Sequence, residues 1–117
     1  MREKIKKINN YLKQYLWMDF CVSNIKEGMV QIDGNTDFSW NKNSIEILFK
    51  EAIYISTVLY EWHKSEKEDF IEIVDNEQTR KHLGFSPMDG YISFRINGDG
   101  ERIWIFSKYM DYKIYSS

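Results

Sequence analysis

Ser44-Ile45-Glu46-Ile47-Leu48-Phe49-Lys50-Glu51-Ala52-Ile53-Tyr54-Ile55-Ser56-Thr57-Val58-Leu59-Tyr60-Glu61-Trp62-His63 is the stretch on which the fold turns. At helical spacing its apolar positions are Ile45, Leu48, Phe49, Ala52, Ile55 and Leu59, and Asn43 with Glu46 makes a capping box. At a period of two they are Ile45, Ile47 and Phe49, then Ile53 and Ile55, then Val58, Tyr60 and Trp62. The stretch is dense in β-branched and aromatic residues, among them Ile45, Ile47, Ile53, Tyr54, Ile55, Thr57, Val58, Tyr60 and Trp62. Such side chains lose χ1 freedom in a helix and fit a pleated surface. The balance favours strands, with polar Lys50-Glu51 as a turn between two of them, while the helical alternative stays open.

The flanks are easier to read. On the C-terminal side, Phe70, Glu72 and Val74 alternate with Ile71 and Ile73, which predicts a strand. Asp75 then caps a short helix, with Gln78 at the capping-box position and Gly84 as its stop. Ile92, Phe94 and Ile96, the turn Asn97-Gly98-Asp99-Gly100, then Ile103 and Ile105 describe a β-hairpin. Tyr112 and Ile114 predict a last short strand. On the N-terminal side, Ile5, Ile8, Leu12, Tyr15 and Leu16 recur at helical spacing, with lysines and amides facing away. Alternation around Phe20–Ile25 and Met29–Ile32, broken at Glu27-Gly28, predicts a hairpin, and Asp33-Gly34 marks the next turn. The fold class expected is α+β: one domain over residues 1–117, with an N-terminal helix packed on a mainly antiparallel β-sheet and one short helix late in the chain.

Composition excludes several classes. A hydrophobic fraction of 43% in 117 residues supplies one core and argues against disorder. A net charge of −2 gives no global attraction to nucleic acid or anionic lipid. The N-terminal helix is nevertheless basic, through Arg2, Lys4, Lys6 and Lys7. No stretch reads as a signal peptide or membrane span, and the single cysteine, Cys21, lies between Phe20 and Val22 as a buried thiol. A cytoplasmic setting is expected. The wealth of Ile, Lys, Asn and Tyr beside one alanine suggests an AT-rich bacterial source.

Catalytic and metal constellations are not expected. His63 and His82 stand in polar surroundings without H-E-x-x-H or C-x-x-C spacing, so no metal, cofactor or catalytic residue is assigned. The glycine cluster at 97–100 carries an acid where a phosphate would sit. Tyr91, Phe94 and Trp104 read as core and cross-strand residues rather than a base-stacking platform, so a nucleic-acid partner is disfavoured.

What remains is the acidic segment Glu61–Glu77, interrupted only by Lys64 and Lys67. It can simply solvate an apolar domain. It can also dock a basic protein, with Tyr60 and Trp62 as aromatic anchors and Glu66, Glu68, Asp69 and Glu72 steering the partner by charge.

The run Ile45–Ile55, followed by Trp62 and by Ile103-Trp104-Ile105, resembles small bacterial proteins of the toxin-immunity type, in which such strands follow one another in one sheet. The resemblance implies a non-enzymatic inhibitor that binds one cognate toxin, often nuclease-like and basic. The alternative is a nucleic-acid-binding or phage-derived regulatory module using the basic N-terminal helix. The oligomeric state has no signature in the sequence.

Overall fold

In the computed structural model, which describes residues 1–36, 43–57 and 61–115, the chain forms two helices and one seven-stranded antiparallel sheet. In chain order the elements are α1 (Arg2–Leu12), β1 (Asp19–Lys26), β2 (Met29–Asn35), β3 (Ile45–Ile55), β4 (Trp62–His63), β5 (Ile71–Ile73), α2 (Asn76–Leu83), β6 (Ile92–Asn97) and β7 (Arg102–Ile114). The strands lie in the order β4-β1-β2-β3-β7-β6-β5. The α+β class holds, and no helix of the described residues is long and apolar enough to cross a membrane.

The decisive stretch is extended, but it does not turn at Lys50-Glu51. β3 runs through that dipeptide and pairs with β7 from Ile45↔Ile114 to Ile55↔Ile105. Glu51 takes a left-handed conformation, φ 49°, and the register shifts between Ala52 and Tyr54. This is a bulge rather than a turn. Its cause lies next door, where the β1–β2 turn packs Gly28 against the Glu51–Ala52 backbone and the Ala52 N–H donates to the Gly28 carbonyl at 2.6 Å. Val58 and Tyr60, assigned to a further strand, lie outside the described residues.

Three more expectations change. Asp33-Gly34 is no turn, since β2 continues to Asn35. A Cβ at Gly34 would stand 2.5 Å from the Phe20 ring and 2.7 Å from an Ile45 methyl, so the glycine gives clearance between β1 and β3. Tyr112 and Ile114 belong to the 13-residue β7 rather than to a strand of their own. Leu16 is 87% exposed, not part of the helix's buried stripe. α1 ends at Leu12 and tightens, with the Gln14 and Tyr15 N–H groups donating to the Tyr11 and Leu12 carbonyls, which rotates Leu16 outward.

Strand alternation sorts the side chains onto two faces. Phe20, Val30, Ile32, Ile45, Ile47, Phe49, Phe94, Ile96, Ile103 and Ile105 form the inner face, and Ile8 and Leu12 of α1 join the same cluster. Asn9 clips the helix to the sheet, its amide donating to the Ile71 carbonyl at 2.9 Å and accepting from the Ile71 N–H at 3.0 Å. On the outer face of β6–β7, Thr79 of α2 hydrogen-bonds Ser93, and His82 lies 5.6 Å from Trp104. The ends of α2 follow its sequence signals: Asp75 accepts from the Gln78 N–H at 2.8 Å, and left-handed Gly84 closes the helix.

The sheet curls until its two margins meet. Phe20 of β1 stacks on Phe70, just before β5, at 4.2 Å, and on Trp62 of β4 at 5.9 Å. The backbone closes the same gap. Lys64 N–H donates to the Met18 carbonyl, Asp99 N–H donates to the His63 carbonyl, and Lys64 bridges to Gly98 in the β6–β7 turn. Residues 61–69 therefore run as a strap from the β1 margin to the β5 margin.

Candidate functional site

Residues 63–68 of the strap line an open cleft of about 660 Å³. Leu16 and Trp17 from the α1–β1 link line it together with Asp19, His63, Glu66 and Arg102, among others. Leu16 at 87% and Trp17 at 42% are the exposed apolar side chains here. The link offers them because α1 unwinds before Leu16 and β1 begins only at Asp19.

The residues assigned to a docking surface separate. Tyr60 lies outside the described residues. Trp62 is a correction: it is 3% exposed, packed on Phe20 beneath Gly98, and cannot serve as a surface anchor. A period-two reading puts it on a face but says nothing of the strap that folds it inward. Glu68 donates no free charge, since Arg102 reaches it at 2.7 Å. Asp69 pairs with Lys13 at 3.2 Å, and Glu72 with Arg95 at 2.8 Å. Glu66 is exposed and lines the cleft, with no ion-pair partner among the described residues. The acidic segment is thus largely balanced by cations from α1, β6 and β7.

Glu72 is the best-defended of these acids. Burial opposes its charge, but hydrogen bonds from Arg95 and from Asn97 (2.7 Å) outweigh that and hold its carboxyl below the ordinary glutamate value. A carboxyl lowered in the fold contributes stability above its unfolded value, which is lost as pH falls through the folded one. Glu72→Gln is therefore expected to flatten the loss of thermal stability between about pH 5 and pH 3. Thermal melts across that range check this, and parallel curves for both proteins would refute it.

Sequence reasoning missed the pair at the cleft floor. Asp19, 3% exposed, hydrogen-bonds His63 Nδ1, in register across β1 and β4. Beside them, desolvation and a hydrogen bond with Asp19 push the Glu61 carboxyl above its ordinary value. Cys21, on the same face, is half-buried rather than buried, and desolvation followed by Asp33 and Glu61 raises its thiol, which leaves it a poor nucleophile. Asp19 and His63 are 44 positions apart, so no local spacing could have announced them.

Chemically, the cleft offers an imidazole held by a buried carboxylate, but no serine, threonine or cysteine hydrogen-bonds that imidazole among the described residues. No group of three or more His, Cys, Asp or Glu among the described residues is arranged to hold a metal ion. Phe94 and Trp104 are buried and Lys4 pairs with Asp111, while Arg2, Lys6 and Lys7 of the basic helix are exposed. No protein-family model, no curated protein and no solved structure matches the chain.

Proposed function

We propose that the protein is a non-enzymatic binding module that occludes a basic partner protein, in the manner of toxin-immunity proteins. The observation that carries the reading is the exposed pair Leu16–Trp17 in a cleft that Glu66 also lines. An aliphatic residue left almost wholly in water beside a half-exposed indole costs solvation, and burying both against a partner recovers it. Aromatic and aliphatic anchors supply affinity, while unpaired carboxylates nearby supply rate and orientation. The anchors of this proposal are Leu16 and Trp17 in place of Tyr60 and Trp62, and the steering charge is Glu66.

The experiment is affinity capture from a lysate of the encoding organism, with wild type and the Leu16→Asp/Trp17→Ala double variant in parallel. Wild type is expected to retain one basic protein at near one-to-one stoichiometry, less at high salt. The double variant is expected to retain at least about tenfold less, since each anchor is worth roughly 1–2 kcal/mol or more. The variant's melting temperature is measured alongside, so that loss of capture is told apart from loss of the fold. Equal capture by the two proteins would refute the surface.

A further inference from the structure

We infer that the groove between α1 and β5 receives a short, extended, acidic segment of a partner protein, which adds to the open edge of β5 at Ile73 and lays its carboxylates against Arg2 and Lys6. This goes beyond the docking reading above, since the groove and the cleft share no lining residue.

β5 is the last strand of the sheet. The Val74 N–H donates to the Ser93 carbonyl and the Asn97 N–H to the Phe70 carbonyl. The alternation of an antiparallel ladder therefore turns the backbone of Glu72 toward β6 and that of Ile71 and Ile73 away from it. At Ile71 both outward groups are taken by the Asn9 amide. At Ile73 no such partner reaches either outward group among the described residues.

Helix and strand keep step along this edge. Lys13 reaches Asp69 and Asn9 clips Ile71. Four residues of helix advance about 6 Å where two residues of strand advance about 6.6 Å. The next step brings Ile5 level with Ile73. An isoleucine has no amide to offer, so the device that closes the edge at Ile71 lapses at Ile73. An open groove of about 320 Å³ lies there, lined by Arg2, Ile5, Lys6 and Ile73 among others.

Charge selects the occupant. Arg2 and Lys6 are exposed, stand one helical turn apart and have no carboxylate within 4 Å among the described residues. Their separation along the helix, about 6 Å, matches the roughly 6.6 Å between alternate side chains on one face of a strand. A segment whose central residue exchanges N–H and carbonyl with Ile73 thus presents the residues on either side of it to the two cations, and acidic residues fit there. Asn9 ends the pairing at Ile71, so the added strand is short. The lining holds no aromatic side chain on which a base would stack, which favours a peptide over a single-stranded nucleic acid.

The test is an NMR titration of the full chain with acetylated, amidated Thr-Asp-Val-Asp-Thr, with its Asn-for-Asp counterpart, and with the Asp peptide carrying N-methylvaline at its centre. In the free protein the Ile73 amide is expected to exchange with solvent at least about tenfold faster than the Ile71 amide, which Asn9 protects. The Asp peptide should shift the amides of Arg2, Lys6 and Ile73 and slow exchange at Ile73. The Asn peptide should bind roughly fivefold more weakly, the scale of two exposed ion pairs. That difference should vanish at high salt and in the Arg2→Ala/Lys6→Ala variant. The N-methylvaline peptide should leave exchange at Ile73 unchanged. The peptide comparison is made on the wild-type chain and does not depend on how the variant folds. An Ile73 amide as protected as that of Ile71 in the free protein would overturn the open edge. Equal binding of the Asp and Asn peptides, or no shift with millimolar peptide, would overturn the acidic occupant. An oligothymidylate that shifts Arg2 and Lys6 at lower concentration than the Asp peptide would give the face to nucleic acid instead. None of these outcomes involves Leu16 or Trp17, so the capture experiment judges the cleft separately.

Discussion

Phe20→Ala is expected to lower the unfolding free energy by about 3–5 kcal/mol. Its ring is fully buried, stacks on Phe70 and on Trp62, and fills the space that Gly34 leaves open. These neighbours come from β2, β4 and the approach to β5, so the ring of this β1 residue is where the two sheet margins meet. The cavity would close poorly, because each wall is held by backbone hydrogen bonds across the strap. Against a total of roughly 5–15 kcal/mol for a domain this size, the loss places the variant near unfolding at room temperature. Urea unfolding followed by tryptophan fluorescence measures it. Phe20→Leu should cost well under half as much, and a Phe20→Ala loss below about 1 kcal/mol would mean that the margins are not joined through this ring.

The second large effect is expected at Asn9. Its amide satisfies both backbone groups of Ile71 on the sheet margin that β6 leaves open, as a neighbouring strand would. Asn9→Ala leaves two buried polar groups without partners and should cost about 2–4 kcal/mol. Asn9→Asp is more informative. An ionised carboxyl can accept from the Ile71 N–H but repels its carbonyl, whereas a protonated one restores both bonds. The fold would therefore favour the protonated form and raise the carboxyl of the substituted side chain above its unfolded value of about 3.9. That restoration is fully present below the unfolded value and is lost as pH rises through the folded one. Denaturant unfolding from pH 3 to pH 8 should show Asn9→Asp approaching wild type in acid and falling away toward neutrality. A constant gap would refute the clip.

What could be read from the chain was what neighbouring residues decide among themselves. Asp75 with Gln78 and Gly84 bound α2 because caps act within one turn. The glycine turns at 28 and 98 join hairpins because both strands they join are adjacent in the sequence. The misreadings share a cause of the opposite kind. Lys50-Glu51 looked like a turn because both residues are polar, yet β7, some sixty residues on, pairs on either side of them. Gly34 looked like a turn for want of a Cβ, when the clash avoided is with Phe20 and Ile45 on two other strands. Trp62 looked like an anchor beside acidic residues, while a β6–β7 turn covers it. Leu16 kept helical phase by one residue too many, and it is that overshoot which supplies the exposed wall of the cleft. The Asp19–His63 pair exists only once β1 and β4 are in register.

The strand order carries a consequence for how the chain must be made. β7 comes last among the strands in chain order, yet it sits between β3 and β6, near the middle of the sheet. As the chain leaves the ribosome, β1, β2 and β3 can assemble as a meander of neighbours. The far side of β3, an 11-residue row of unpaired amides and carbonyls flanked by Ile45, Ile47 and Phe49, must then wait in water. The Glu46–Tyr115 hydrogen bond spans 69 positions, roughly the length of synthesis for which that edge stands open. At translation speeds of about 5–20 residues per second, the wait is several seconds, far longer than a hairpin needs to form. The edge of β3 is thus open to pairing with the wrong strand until β7 has been made, and insertion of β7 between β3 and β6 closes it.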